Sequence, residues 1–317
     1  MGLHFYNKRS KEGLEKAIDY FSQATQIDPD YALAYALLAD CYCLQAYYTF
    51  MPVSQATSNG KTAVERALLL DDSVAEAHVA MAMVQGFEGD YRGSMKSLRR
   101  ALELNPNLAV AHLRYAWGLT DAGRLSEAVP EMKRAQELDP ISATNNTALG
   151  VILMFDRQFG QALFYCSRAG ELEPDNSSIQ GNIAVAYLLN GSYDAAIKAY
   201  QKQIELAPDQ NGKGLAAITE VLYHANRRAE ADALMPEVLR LAVNGKVDAF
   251  SIVGIYTAAG ELDHAFEWFD KALSDGMLLP RFIRYGPELD MMRTDPRFVE
   301  LLRKHGRKIL ADELSAH

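Results

Sequence analysis

The chain has 317 residues, 49% apolar and 23% charged, with a formal net charge of −9. That balance fits a folded chain rather than an extended disordered one, and its acidity repels nucleic acid and anionic lipid. No run approaches the roughly 18 apolar residues needed to cross a bilayer, and three cysteines without framework spacing exclude a disulfide scaffold.

Residues 1–6 carry no basic segment followed by an apolar stretch, so no signal peptide is visible. A stub over residues 3–9 precedes a helical stretch over 14–27. This first unit, residues 1–29, therefore begins mid-unit. We expect the chain to be an excised part of something longer, with apolar surface at this end that would pair two copies. Residues 30–72 form a second unit. Pro29 and Asp72 are 43 residues apart, one period plus nine, which places an insertion at 47–59. Its aromatic cluster, Tyr47, Tyr48 and Phe50, reads as packing on the next unit or as a binding lip, and packing is favoured. Pro52 is expected to open a fresh helix.

Four regular repeats follow over 73–208. Pro106, Pro140, Pro174 and Pro208 fall 34 residues apart, each after a leucine and one further residue. Within one period, residues 109–122 carry Leu113, Ala116, Trp117 and Leu119 as a helical stripe. Gly123 stops that helix, since glycine accepts the left-handed conformation of a C-terminal cap. A second helix over 126–138 presents Ala128, Met132 and Ala135, and Asp139-Pro140 ends it. After Pro208 the spacing slips near Asn211-Gly212-Lys213-Gly214, and two divergent repeats occupy 209–277. A cap fills 278–317. In it Asp295 serves as N-cap, Pro296 takes the first turn, and Phe298, Leu301 and Leu302 face inward. Eight Lys or Arg against four Asp or Glu between 281 and 308 read as a solvated terminal helix rather than a basic binding patch.

The columns repeat with the period. Ala128, Ala162, Ala196 and Ala265 are small where two helices approach; Leu98, Met132, Cys166, Tyr200 and Phe269 follow four places later, and Ala101, Ala135, Ala169 and Ala272 three after that. On these residues the chain resembles the tetratricopeptide repeat, whose pattern is small-x₃-aromatic, then alanine, then proline. The resemblance implies an all-α, right-handed superhelical solenoid of antiparallel helix pairs with a C-terminal capping helix. Residues 6–18, the following Asp28-Pro29-Asp30-Tyr31, and the Asp-Pro-Arg-Phe ending further resemble the repeat region of bacterial signalling proteins. These include winged-helix regulators, serine/threonine kinases and nucleotide cyclases, which carry the active module N-terminal to the repeats.

No phosphate loop, no His-Glu-x-x-His and no Cys-x-x-Cys is present. His78 and His112, 34 apart, read as core residues, as does Cys166. No catalytic, cofactor or metal residue is expected. In the resemblance, the first helix of each unit lines a concave groove. There Met83, Trp117, Val151 and Val185 recur at 34-residue spacing, with Phe87, Leu113, Met154 and Phe155 beside them and Arg114, Asn146 and Asn182 as scattered polar groups. A mostly apolar groove argues against a carboxylate clamp and for an extended or helical peptide. The bland alternative is that these side chains pack within and between helix pairs. The expected function is a non-catalytic scaffold that binds a protein or peptide, with neither nucleic acid nor membrane insertion. A spacer for an absent module and an enzyme fragment are the alternatives. The thiols and the missing leader favour cytoplasm, while the resemblance also admits an extracytoplasmic position.

Overall fold

The structure is a computed structural model and describes residues 1–6, 8, 10–276 and 278–315. Asn7 and Arg9 of the N-terminal stub, Met277 at the end of the second divergent repeat, and residues 316 and 317 of the cap lie outside them. The described residues are helical and include no strand. In chain order the helices begin with α1 (Gly2–Tyr6), α2 (Lys11–Ile27), α3 (Ala32–Tyr47), α4 (Val53–Leu70), α5 (Ala75–Phe87) and α6 (Tyr91–Leu104). They continue through α7 (Ala109–Asp121), α8 (Leu125–Leu138), α9 (Ala143–Phe155), α10 (Phe159–Leu172), α11 (Ser177–Leu189) and α12 (Tyr193–Leu206). After these come α13 (Asn211–His224), α14 (Arg228–Val243), α15 (Ala249–Ala259) and α16 (Leu262–Ser274). The chain closes with α17 (Pro280–Tyr285), α18 (Asp290–Arg293), α19 (Pro296–Lys304) and α20 (Lys308–Ser315).

Consecutive helices pack as pairs: α3 on α4, α5 on α6, α9 on α10, α11 on α12, α13 on α14 and α15 on α16. The first helices α5, α7, α9 and α11 start at Ala75, Ala109, Ala143 and Ser177, 34 residues apart. Their ends are set locally. Ser142, Asn176, Asp248 and Asp295 accept backbone N–H groups as N-caps. Gly89, Gly123, Gly191 and Gly260 take the turn between pair members with φ of 82°, 81°, 77° and 78°. Arg157 and Asn226 hold the equivalent turns at φ 60° and 58°. For a side-chain-bearing residue that conformation costs roughly 1–2 kcal/mol, least for asparagine.

The small columns are buried as their spacing implies. Ala128, Ala162, Ala196 and Ala265 are fully buried, and so are Met132, Cys166 and Phe269. The insertion does not form a separate loop. Against α5 and α6, of 13 and 14 residues, α3 has 16 and α4 has 18, and the turn takes the remainder. Pro52 stands at the N-cap of α4, one place before its first helical residue, instead of opening the helix itself. Tyr48 packs on the core, while Tyr47 and Phe50 are exposed.

The chain divides into two compact units, residues 1–118 with 130–139, and residues 119–129 with 140–317. The core of the first runs from Leu14 and Phe21 through Leu38 and Leu44 to Val64 and Val84. In the second, one cluster gathers Val238, Ile252 and Ile255. Another joins Phe269 of α16 to Ile283, Leu289, Met292 and Phe298 of the cap, with the Phe269 and Phe298 rings stacked at 5.0 Å.

Candidate functional site

The residue six places before each of Gly89, Gly123, Arg157, Gly191, Asn226 and Gly260 marks one column on the first helices. It reads Met83, Trp117, Val151, Val185, Glu220 and Gly254. The last two escape a strict 34-residue count because one extra residue precedes Asn226. The turn conformation restores the register.

In the first unit, Met83 and Phe87 are half-buried against the core cluster, and Leu113 and Trp117 are half-buried. Arg114 turns inward. Its Nη1 forms an ion pair with Asp40 Oδ1 at 2.6 Å, and Tyr6 donates its hydroxyl to Asp40 Oδ2 at 2.5 Å. Ala80, fully buried, occupies the Arg114 position one repeat earlier, and its small size lets the guanidinium pass over α5 to α3. Burial works against the charge on Arg114, but the Asp40 carboxylate more than offsets it, and the guanidinium pKa is raised. The groove arginine is thus a structural ion pair.

In the second unit, Val151 and Val185 are half-buried, whereas Met154 and Phe155 are 4% and 5% exposed. Asn182 donates within its own helix to the Ser178 carbonyl at 2.9 Å. Phe155 is covered by the chain itself. The Phe282 ring of α17 meets it edge-on at 5.6 Å, and Tyr285 lies 6.2 Å away. Phe282 also faces Phe250 of α15 at 6.1 Å. Around these rings Arg281 donates to Asp121 Oδ2 at 3.1 Å. Arg284 donates to the Asp121 carbonyl, and Arg157 donates to Asp290 Oδ1 at 2.6 Å. The sequence shows no sign of this cover, because its partners lie 133 to 163 residues apart.

Glu220 faces Glu288 of the same segment. Burial, with the nearby Glu288 carboxylate, pushes the Glu220 carboxyl up to about 8, and burial also raises Glu288. His224 Nε2 stands 4.0 Å from Glu220, its own pKa lowered by burial.

The histidines have a definite task. Nε2 of His78 and of His112 meets the carbonyl six residues back, Asp72 at 2.8 Å and Pro106 at 2.9 Å. Asn146 and Gln180 make the same contact to Pro140 at 3.0 Å and Pro174 at 3.1 Å. Position for position, this column fastens the turn before α5, α7, α9 and α11. Burial pushes the Cys43 and Cys166 thiols up to about 12, which makes both poor nucleophiles. Among the described residues no three His, Cys, Asp or Glu side chains converge as a metal site, and no helix is long and apolar enough to cross a membrane.

Residues 153–218 and residues 75–108 match the tetratricopeptide repeat family. No curated protein matches the chain. Among solved structures, that of the APC/C hetero-tetramer Cut9–Hcn1 is similar at 17% identity and TM-score 0.59, over 86% of this chain and 48% of that one. PilF of Pseudomonas aeruginosa is similar at 23% identity and TM-score 0.52, over 64% of this chain and 91% of that one. With its buried alanine columns and left-handed turns, the chain is an all-α array of helix pairs that carries tetratricopeptide repeats over residues 75–108 and 153–218.

Proposed function

We propose that this protein is a non-catalytic scaffold that docks a peptide segment of a partner on the first-helix face of its first unit, as the interaction part of a signalling protein. Tetratricopeptide-repeat proteins generally mediate protein–protein interactions. The observation that carries the reading is the half-buried apolar column of Met83 and Trp117, with Leu113 and Phe87 beside it. A large aromatic that is neither sunk in the core nor fully solvated is the usual anchor of a contact surface. Arg114, already neutralised by Asp40, offers no clamp for a terminal carboxylate, so an apolar extended or helical segment fits this face better.

The test is a displayed random-peptide library selected on the full chain, followed by the affinity of the selected peptide for Trp117→Ala. The substitution is expected to weaken that peptide by more than about 2 kcal/mol, with a smaller loss of folding stability. No enriched peptide would favour a spacer. A stability loss of roughly 3–5 kcal/mol would assign Trp117 to the core.

A further inference from the structure

The first-helix face of the second unit is covered by the chain's own segment, and the chemistry of that cover describes a ligand. Arg281, Phe282, Arg284 and Tyr285 stand at i, i+1, i+3 and i+4 of α17, which groups them on one side of its turn. On the other side Ile283 is fully buried in the cap cluster. The segment is therefore anchored to the cap through Ile283, Leu289 and Met292. It meets the ends of α7 and α9 through charges and aromatic rings.

The receiving surface is specific. The last residue of α7, Asp121, accepts from Arg281 through its carboxylate and from Arg284 through its carbonyl. A helix C-terminus carries unpaired carbonyls and partial negative charge, so two guanidinium groups suit it. The Leu125 backbone lies beside the Tyr285 hydroxyl, Phe155 receives Phe282 and Tyr285, and Arg157 takes the Asp290 carboxylate. A second observation points the same way. Arg157 holds a left-handed turn at φ 60°, where glycine stands in four other pairs, Asn226 in the α13–α14 turn and Thr49 in the α3–α4 turn. The Arg157 side chain reaches the covering segment through Asp290.

We propose that the patch of Asp121, Leu125, Phe155 and Arg157 is a docking site for a short helical peptide of the pattern Arg-Phe-x-Arg-Tyr, filled in cis by residues 281–290 until a partner segment of that chemistry displaces them. The patch belongs to the second unit and does not involve Trp117, so this site and the first-unit face succeed or fail separately.

A labelled peptide of residues 278–293 titrated into the full chain carrying Arg281→Ala and Phe282→Ala tests it. The altered chain should bind at least tenfold more tightly than the unaltered chain. Adding Phe155→Ala should return binding to the unaltered level, and a scrambled peptide should not bind. Equal affinity for altered and unaltered chains, or for the scrambled peptide, would overturn the proposal. Because the double change can also disturb folding, hydrogen exchange with Arg157→Gly provides an independent reading. That substitution removes one of the two arginines on Asp290, leaving Arg293, and relieves the turn. Amides of 281–286 should then exchange at least fivefold faster, while those of α15 stay unchanged. No acceleration, or equal acceleration in α15, would make the segment an inseparable part of the core and defeat the idea.

Discussion

Glu220 occupies the place that Val151 and Val185 fill with apolar side chains, and its side chain is only 19% exposed. Its carboxyl is raised to about 8 by burial beside Glu288, far above the usual carboxylate range. The folded chain therefore keeps this proton between about pH 4.5 and 8, where the unfolded chain has released it. Stability from this group is full below that window and falls as pH rises through it, by up to about 1.4 kcal/mol per pH unit. Glu220→Gln, which copies the protonated form, should flatten this decline and raise stability at pH 8 by at least about 1 kcal/mol. Thermal melting of both proteins from pH 5 to pH 8 measures it. Parallel curves would mean that Glu220 is ionised throughout. No periodic pattern announced this residue, since a carboxylate in an apolar column looks like a solvated charge until the covering segment is known.

At the scale of the helix pair, close approach is the organising demand. Gly150 sits inside α9, where alanine would normally favour the helix by about 1 kcal/mol. Here a Cβ at position 150 would lie 2.4 Å from Cys166 Sγ and 3.2 Å from the Ala162 carbonyl. Both belong to the partner helix α10, and Cys166 is fully buried. Overpacking of this kind costs about 1–3 kcal/mol, so Gly150→Ala should lower stability despite the better helix former. A denaturant midpoint that stays or rises would show that the pair can spread freely. The alanine columns behind this packing were plain in the sequence, because alternation of small and large residues every 34 positions is a local rule. The use of His78, His112, Asn146 and Gln180 was less plain. All four fasten a turn carbonyl, whereas the histidines read simply as packing residues. Their shared role follows from hydrogen-bond reach, which residue type alone does not reveal.

Across the whole molecule, stability in a repeat array is a sum of local and nearest-neighbour terms. The Asp40–Arg114 pair is the sharpest local term in the first unit, with side chains only 6% and 11% exposed. Asp40→Ala would leave the guanidinium buried without its carboxylate and would remove the Tyr6–Asp40 hydrogen bond. The expected loss is about 3–5 kcal/mol, confined to the first unit. Hydrogen exchange should show α3 and α5 losing protection while α15 and α16 keep theirs. Equal loss in all four helices would mean that the two units unfold as one body.

By itself the sequence determined the helical repeat, its turns and its buried columns, because each depends on contacts between residues near one another in the chain. Tertiary structure alone decided that Arg114 is spent on Asp40, that Glu220 lies under Glu288, and that Phe155 is covered by Phe282 and Tyr285. Those contacts join residues far apart in the chain, and their geometry exists only once the intervening helices have stacked.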